Sequence, residues 1–221
     1  MESAKIRLPK ILAILEKLYP DAETCLRFRT PWQLLVATIL SAQCTDERVN
    51  RVTPALFKKY PDVEAYARAD KGELETDIRP TGFFRNKAKS IMGAARTIVD
   101  NFGGRVPDTM AELITLPGVA RKTANIVLSS AFHKAEGIAV DVHVARLSRR
   151  LGLTQQSVPE KIERDLLTIV PKVYWLTFNF MLVNHGRAVC PSRKPKCGEC
   201  GVLEFCPRIG VTAGERAGQR R

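Results

Sequence analysis

The sequence predicts an all-α fold. Apolar residues recur at helical spacing along most of the 221-residue chain, and there is no sustained period-two alternation or strand–helix–strand rhythm. Helix-start signals and short Pro/Gly turns punctuate that pattern, which divides it into roughly ten helices.

Ile11, Leu12, Leu15 and Leu18 form the first apolar stripe, with Pro9 suited to a first helical turn. Thr30-Pro31-Trp32-Gln33 reads as a capping box opening a helix through Leu34, Leu35, Ile39 and Leu40. Asp46 is placed to cap the next helix, whose inner face is Val49, Val52, Leu56 and Phe57; Pro54 within it predicts a kink or break. Asp70-x-x-Glu73 resembles a further capping box. Asn86 to Phe102 reads as a long amphipathic helix closed by Gly103-Gly104. The near-apolar run Val173 to Val183 reads as a buried helix, since a membrane span needs about 20 apolar residues. The Gly-, Ala-, Arg- and Gln-rich tail after Pro207 reads as disordered.

The formal net charge is +12 and the isoelectric point is near 9.7, which predicts a polyanionic partner, DNA or RNA. A basic protein with no special partner is the plainer alternative. The stretch Met1 to Arg7 is mostly polar and charged, so no signal peptide is expected. A cytoplasmic, nucleoid-associated monomer without membrane contact is the corresponding expectation.

Four cysteines, Cys190, Cys197, Cys200 and Cys206, are spaced C-x6-C-x2-C-x5-C in a polar, turn-rich stretch. Such a stretch does not easily account for four thiols as core residues. The spacing fits a [4Fe-4S] cluster, a structural zinc or two disulfides, and a reducing cytoplasm disfavours the last. Arg193, Lys194 and Lys196 lie between the first two cysteines with no acid among them. Pinned by a metal centre, they would face outward toward phosphate. Cys25 and Cys44 lie far from this group and read as buried, weakly reactive thiols.

The segment Leu116-Pro117-Gly118-Val119-Ala120-Arg121-Lys122-Thr123-Ala124-Asn125 reads as a tight Pro-Gly turn between two helices. Free N–H groups at the start of the second helix suit a phosphate; an ordinary helix–helix turn is the alternative. Lys122 falls in that first turn. The dipole disfavours an ammonium there, and a neutral amine is a nucleophile. A merely solvated lysine is the competing reading. In Val140-Asp141-Val142-His143-Val144-Ala145-Arg146, Asp141 is placed to cap a helix through Val144 and Leu147. His143 is either a phosphate donor or a satisfied structural histidine.

Three blocks then carry a resemblance: Leu40-Ser41-Ala42-Gln43-Cys44-Thr45-Asp46, the hairpin LPGVARKTAN, and VDVHVAR. With the four-cysteine loop they resemble the endonuclease III family of the helix-hairpin-helix DNA glycosylase superfamily, over almost the whole chain. The resemblance implies two helical lobes flanking a DNA cleft. One is a six-helix barrel over residues 24–134 holding the hairpin. The other joins residues 1–23 to 135–221 and carries a [4Fe-4S] cluster on Cys190, Cys197, Cys200 and Cys206. It implies a bifunctional glycosylase and AP lyase acting on double-stranded DNA with damaged pyrimidines or abasic sites. Lys122 and Asp141 would be catalytic, facing each other at the cleft. Gln43 would fill the gap left by a flipped base, its alternative being a cap near Asp46. Phe83 would be the wedge where the family commonly has leucine, with core packing the alternative for Phe83 or Phe84. Gly118, Ala120, Arg121, His143, Arg193, Lys194 and Lys196 would complete the DNA contacts. Ala120 departs from the family's usual glycine, and its methyl would limit phosphate approach and disfavour positive φ. Two other function classes fit the composition: a non-catalytic, metal-stapled DNA binder and a zinc-stapled RNA-binding module.

Overall fold

The computed structural model describes residues 2–212. In chain order its α-helices are α1 (Ala4–Leu18), α2 (Pro31–Leu40), α3 (Asp46–Lys59), α4 (Val63–Arg68), α5 (Lys71–Asp77), α6 (Phe84–Phe102), α7 (Met110–Leu113), α8 (Arg121–Ala131), α9 (Val142–Arg150), α10 (Pro159–Ile169) and α11 (Phe178–Ala188). Short 3-10 turns supplement them, and no strand occurs among the described residues. No helix among those residues is long and apolar enough to cross a membrane. Contacts divide the chain into two units, Thr24–Glu136, and Met1–Glu23 with Gly137–Arg221.

The unit Thr24–Glu136 is organised around α2. Every residue of α2 from Trp32 to Leu40 except Gln33 is buried. A helix apolar on all sides needs cover on all sides, and α3, α6 and α8 pack against it. Thr30 caps α2 by accepting from the Gln33 N–H at 3.2 Å. The Gln33 side chain closes this capping motif one residue early, its Oε1 accepting from the Arg29 N–H at 2.9 Å. Around α2 lie Tyr66 and Tyr60, with Trp32 edge-on to Tyr66 at 5.3 Å.

The other unit is built on α1, which packs against α10 and α11. Leu8, Ile11, Leu12 and Leu15 join Val144, Leu147, Ile162, Leu166, Phe178 and Leu182 in one core.

Several local expectations are corrected. Helix α1 begins at Ala4, so Pro9 lies inside it rather than in its first turn. Pro9 is on the exposed face, where the carbonyl that loses its N–H partner meets water. Thr45, not Asp46, caps α3, accepting from the Arg48 N–H, and α3 continues without a break through Pro54. Asp70 caps α5 through the Glu73 N–H. Helix α6 starts at Phe84, and Gly103 ends it in the left-handed region while the Gly104 N–H reaches the Ile98 carbonyl. Leu18 is exposed and drops out of the first stripe. The run from Val173 is not one helix: Val173 is 77% exposed in a 3-10 turn, and α11 starts only at Phe178. The chain after Pro207 is not disordered as far as it is described: the Ile209 N–H bonds the Arg150 carbonyl and Val211 is buried. The rest of that tail, 213–221, lies outside the described residues.

The Tyr66 hydroxyl is fully buried and has no hydrogen-bond partner among the described residues. Burial also raises the phenol pKa, so it stays a neutral donor with nothing to bond. Tyr66→Phe removes that desolvated group while keeping the ring. The expected outcome is unchanged or raised stability, by up to about 1 kcal/mol, read as the urea midpoint; a clear loss would show that the hydroxyl has a partner.

Candidate active site and metal centre

The hairpin turn is shaped by α6. Thr109 caps α7, the Leu116 N–H bonds the Leu113 carbonyl, and the Val119 N–H bonds the Leu116 carbonyl. Gly118 takes φ +78°, and a Cβ there would come 2.5 Å from the Ser90 side chain. Pro117 sits against α6 at Gly93, where an added Cβ would be 3.1 Å from the proline ring. Only glycine meets both demands at 118, the positive φ and the close approach.

Helix α8 then opens at Arg121 with Ala120 as its N-cap. No side chain caps it. Ala120 has φ −90° and ψ 168°, ordinary extended backbone. The expected conflict between its methyl and a positive φ therefore does not arise. Lys122 is exposed in the first turn beside half-buried Arg121. Behind it Ala124, Val127 and Leu128 anchor α8 in the core. A helix start with no side-chain cap suits an anion, and Lys122 places an amine in its first turn.

Gln43 lies in the turn between α2 and α3, exposed and with φ +53°. It does not cap α3, a role taken by Thr45. Phe83 also has positive φ, +47°, and is 62% exposed. Phe84 takes the core-packing role instead. Its ring is flanked by Arg79 and Arg85 at 5.9 and 5.5 Å.

One residue joining these two turns was missed in the sequence. Lys87 is only 4% exposed. Its Nζ donates to the Leu40 carbonyl at 2.7 Å and to the Thr81 carbonyl at 2.8 Å. Leu40 ends α2 just before the Gln43 turn, and Thr81 leads into Phe83. Burial lowers the ammonium pKa. The available signal was position: Lys87 shares the face of Ala88, Ile91 and Ala95, where helical spacing calls for an apolar residue.

In the other unit Asp141 caps α9. Its Oδ1 accepts from the His143 and Val144 N–H groups, each at 2.8 Å. His143 Nδ1 lies 3.1 Å from Arg146 Nη2, and the same nitrogen donates to the Cys190 carbonyl at 3.0 Å. Gly186 lets α11 approach this group, since a Cβ there would be 2.7 Å from His143 Nδ1.

Cys190, Cys197, Cys200 and Cys206 line a single cavity. None of the six cysteines is paired in a disulfide. Among the described residues no three His, Cys, Asp or Glu side chains are grouped to hold a metal ion. Two residues not singled out in the sequence organise the cavity. Arg150, 7% exposed, donates to Cys190 Sγ at 3.2 Å, the Pro191 carbonyl at 2.6 Å and the Ser192 carbonyl at 2.8 Å. Buried His185 places Nε2 3.4 Å from Cys200 Sγ and Nδ1 3.1 Å from the Tyr19 hydroxyl. Burial pushes the Cys200 thiol up to about 11, with smaller contributions from the other three cysteines. Burial lowers the His185 pKa, so its ring is neutral. Arg193, Lys194 and Lys196 are all exposed on this loop. Cys25 is exposed and Cys44 half-buried, so neither is the buried thiol expected.

Residues 36–172 match the family of HhH-GPD superfamily base excision DNA repair proteins. Endonuclease III of Synechocystis sp. is 59% identical over 207 residues, covering 94% of this chain and 94% of that protein. Endonuclease III of Bacillus subtilis is 43% identical over 221 residues, covering 98% and 96%. The chain belongs to the endonuclease III family. Among solved structures, a non-covalent endonuclease III–DNA complex and a trapped endonuclease III–DNA covalent intermediate each superpose with a TM-score of 0.88 at 41% identity, covering 94% of this chain and 97% of theirs. The matched family segment, 36–172, holds Gln43, Phe83, Lys122 and Asp141 but stops short of the four cysteines, which the similarity to whole endonuclease III chains spans.

Lys87→Met keeps the side-chain volume and removes both donors. Two carbonyls are left unsatisfied, a cost of about 1–3 kcal/mol each where water stays excluded. Amide exchange should accelerate in 41–45 and 81–84 while α8 stays protected. Unchanged protection in both turns would show that Lys87 does not hold them.

Proposed function

We propose that this member of the endonuclease III family excises oxidised pyrimidines such as thymine glycol from duplex DNA and then nicks the strand as an AP lyase. The carrying observation is the start of α8: an uncapped helix end behind a Pro-Gly turn, with the Lys122 amine exposed in its first turn. The similarity to a trapped covalent endonuclease III–DNA intermediate supports the same reading.

A damaged nucleotide must leave the stack before its sugar is reachable. Phe83, exposed in a left-handed turn, suits the wedge, and Gln43 suits the vacated space. Backbone N–H groups at Gly118, Ala120 and Arg121 bind phosphate, and His143, Arg193, Lys194 and Lys196 add contacts. The Lys122 nitrogen attacks C1′ through its lone pair, and the base departs with the bond electrons and takes up a proton. The nitrogen then loses a proton, and its lone pair forms an iminium as the C1′–O4′ bond breaks and the sugar ring opens. That iminium acidifies the C2′ proton; its loss expels the 3′ phosphate as the C3′–O bond breaks. Asp141 stabilises the cationic sugar and relays protons to and from the amine. Capping leaves its Oδ2 outside both cap bonds, which fall on Oδ1.

The four thiols line one cavity, and four cysteine thiolates suit either a [4Fe-4S] cluster or zinc. The chain's resemblance to endonuclease III over nearly its whole length supports the cluster. When bound it supplies iron–thiolate bonds that pin the loop bearing Arg193, Lys194 and Lys196. The protein so described acts as a cytoplasmic monomer on the chromosome.

Borohydride should trap wild-type protein on abasic duplex DNA, and Lys122→Ala should abolish the adduct while DNA binding persists. Equal trapping by Lys122→Ala would overturn the assignment of the nucleophile. Binding without base release or nicking by the wild type would favour the non-catalytic binder. The purified protein should be brown, with visible absorbance lost together with iron on chelation; a colourless protein holding one zinc would remove the cluster.

A further inference from the structure

The unit Thr24–Glu136 holds a second, strongly basic cavity of about 560 Å³. It lies between the segment leading into α2 and the middle of α3, and that volume falls within the usual range of small-molecule sites. Arg27, Arg29 and Lys58 line it together with Phe28, Phe57 and Thr53, and no carboxylate does. Among the described residues none of the three cations has an ion-pair partner, although their neighbours do. Arg51 pairs with Glu47, and Lys59 pairs with both Glu73 and Asp77. Acids were therefore within reach of this helix and were spent elsewhere on it. Three like charges around one hollow repel each other, and an anion between them relieves that repulsion.

Another large cavity of the same unit, about 640 Å³, is lined by Asp62, Glu64, Asp108 and Glu112 against a single Arg105. Charge is thus sorted between two hollows, and only the basic one attracts phosphate.

The basic cavity is also held in shape. The Arg27 N–H donates to Asn50 Oδ1 at 2.9 Å, and Asn50 Nδ2 returns a bond to the Cys25 carbonyl at 2.8 Å. The Arg29 N–H donates to Gln33 Oε1 at 2.9 Å. Both arginines therefore stand on a loop stapled to α3 and to the start of α2. Phe28 and Phe57 are half-buried with one side on the core, so their rings are ordered before any ligand arrives. Ordered rings beside unpaired cations make a stacking platform for a base and a clamp for its phosphate. The cavity is at the Gln33 end of α2, and Gln43 follows the other end. Seven steps of helix, about 10 Å, separate Gln33 from the end of α2 at Leu40.

We propose that this cavity is a binding site for a nucleoside phosphate, with the phosphate on Arg27, Arg29 and Lys58 and the base against Phe28 and Phe57. The nucleoside phosphate is either free or part of a single strand. The site does not depend on Lys122 or on the proposed chemistry.

Equilibrium dialysis of the full chain at fixed salt tests it, with AMP, inorganic phosphate and an undamaged single-stranded tetranucleotide as probes. AMP should bind to one site more tightly than phosphate, and Arg27→Ala/Arg29→Ala/Lys58→Ala should weaken it by about tenfold or more. Phe57→Leu should keep phosphate binding and lose the preference for AMP. Variant-sensitive binding of the tetranucleotide without AMP binding would support the site and assign it to a strand. Equal binding of AMP and of the tetranucleotide by wild type and triple variant, or binding of neither of these two by the wild type, would overturn it. The far-ultraviolet melting curve of the triple variant checks that it is folded. Because dialysis reads binding, loss of nicking activity would not be mistaken for loss of this site.

Discussion

Buried cations answered by main-chain carbonyls, rather than by carboxylates, hold the functional turns of this protein. Lys87 bonds the carbonyls of Leu40 and Thr81. Arg150 bonds those of Pro191 and Ser192 and Arg7 those of Leu151 and Phe205, while half-buried Arg146 bonds that of Cys190. Turns carry little apolar surface, so the hydrophobic effect cannot fix them. Directional donors can, because each carbonyl they reach loses its freedom to rotate away. A buried charge is costly unless it is well bonded, and several carbonyl dipoles meet that need. The choice of carbonyls also matters for long-range potential. A carboxylate partner would cancel each positive charge, whereas a carbonyl partner leaves it in place and preserves the +12 balance that draws a polyanion.

The same clamp explains how two strained residues persist. Gln43 and Phe83 are not glycine, yet both have positive φ. Such positions cost on the order of 1–3 kcal/mol and survive only where the surroundings over-determine them. Lys87 supplies that constraint from a single ammonium placed between the two turns. The strain holds Phe83 outward while its neighbour Phe84 goes inward. An aromatic ring is thus held in water by backbone geometry, which accords with a residue that inserts into something else.

Helices and their starts were largely legible in the sequence because capping is local. Thr30, Asp70 and Asp141 act within three residues of themselves, and so their side chains declare their role. Misreadings came where the deciding partner is distant. Pro9 looks like a first-turn residue and Pro54 like a break until their place within α1 and α3 is known. Val173 looks like core until the turn before α11 points it outward. Lys87, Arg150 and His185 look like ordinary surface residues, since nothing nearby in sequence reveals the carbonyls or thiols they meet. The four cysteines announced a shared centre by spacing, but not the arginine and histidine that shape its cavity. The pairing of Lys122 with Asp141 under the proposed function rests on family resemblance alone, since no periodicity links a first-turn residue of α8 to a cap on α9.

Glycine usage in the hairpin separates two requirements that a family pattern merges. Gly118 is demanded twice, by its positive φ and by the Ser90 side chain that would overlap any Cβ. Ala120 is under neither demand, because an N-cap residue sits in extended backbone that alanine adopts without strain. A methyl at 120 therefore changes how closely a phosphate can approach the start of α8, not whether the hairpin forms. Shape at this turn is set from α6, by Ser90 and Gly93 against Pro117 and Gly118, and so residue 120 is left to adjust contact with the ligand alone.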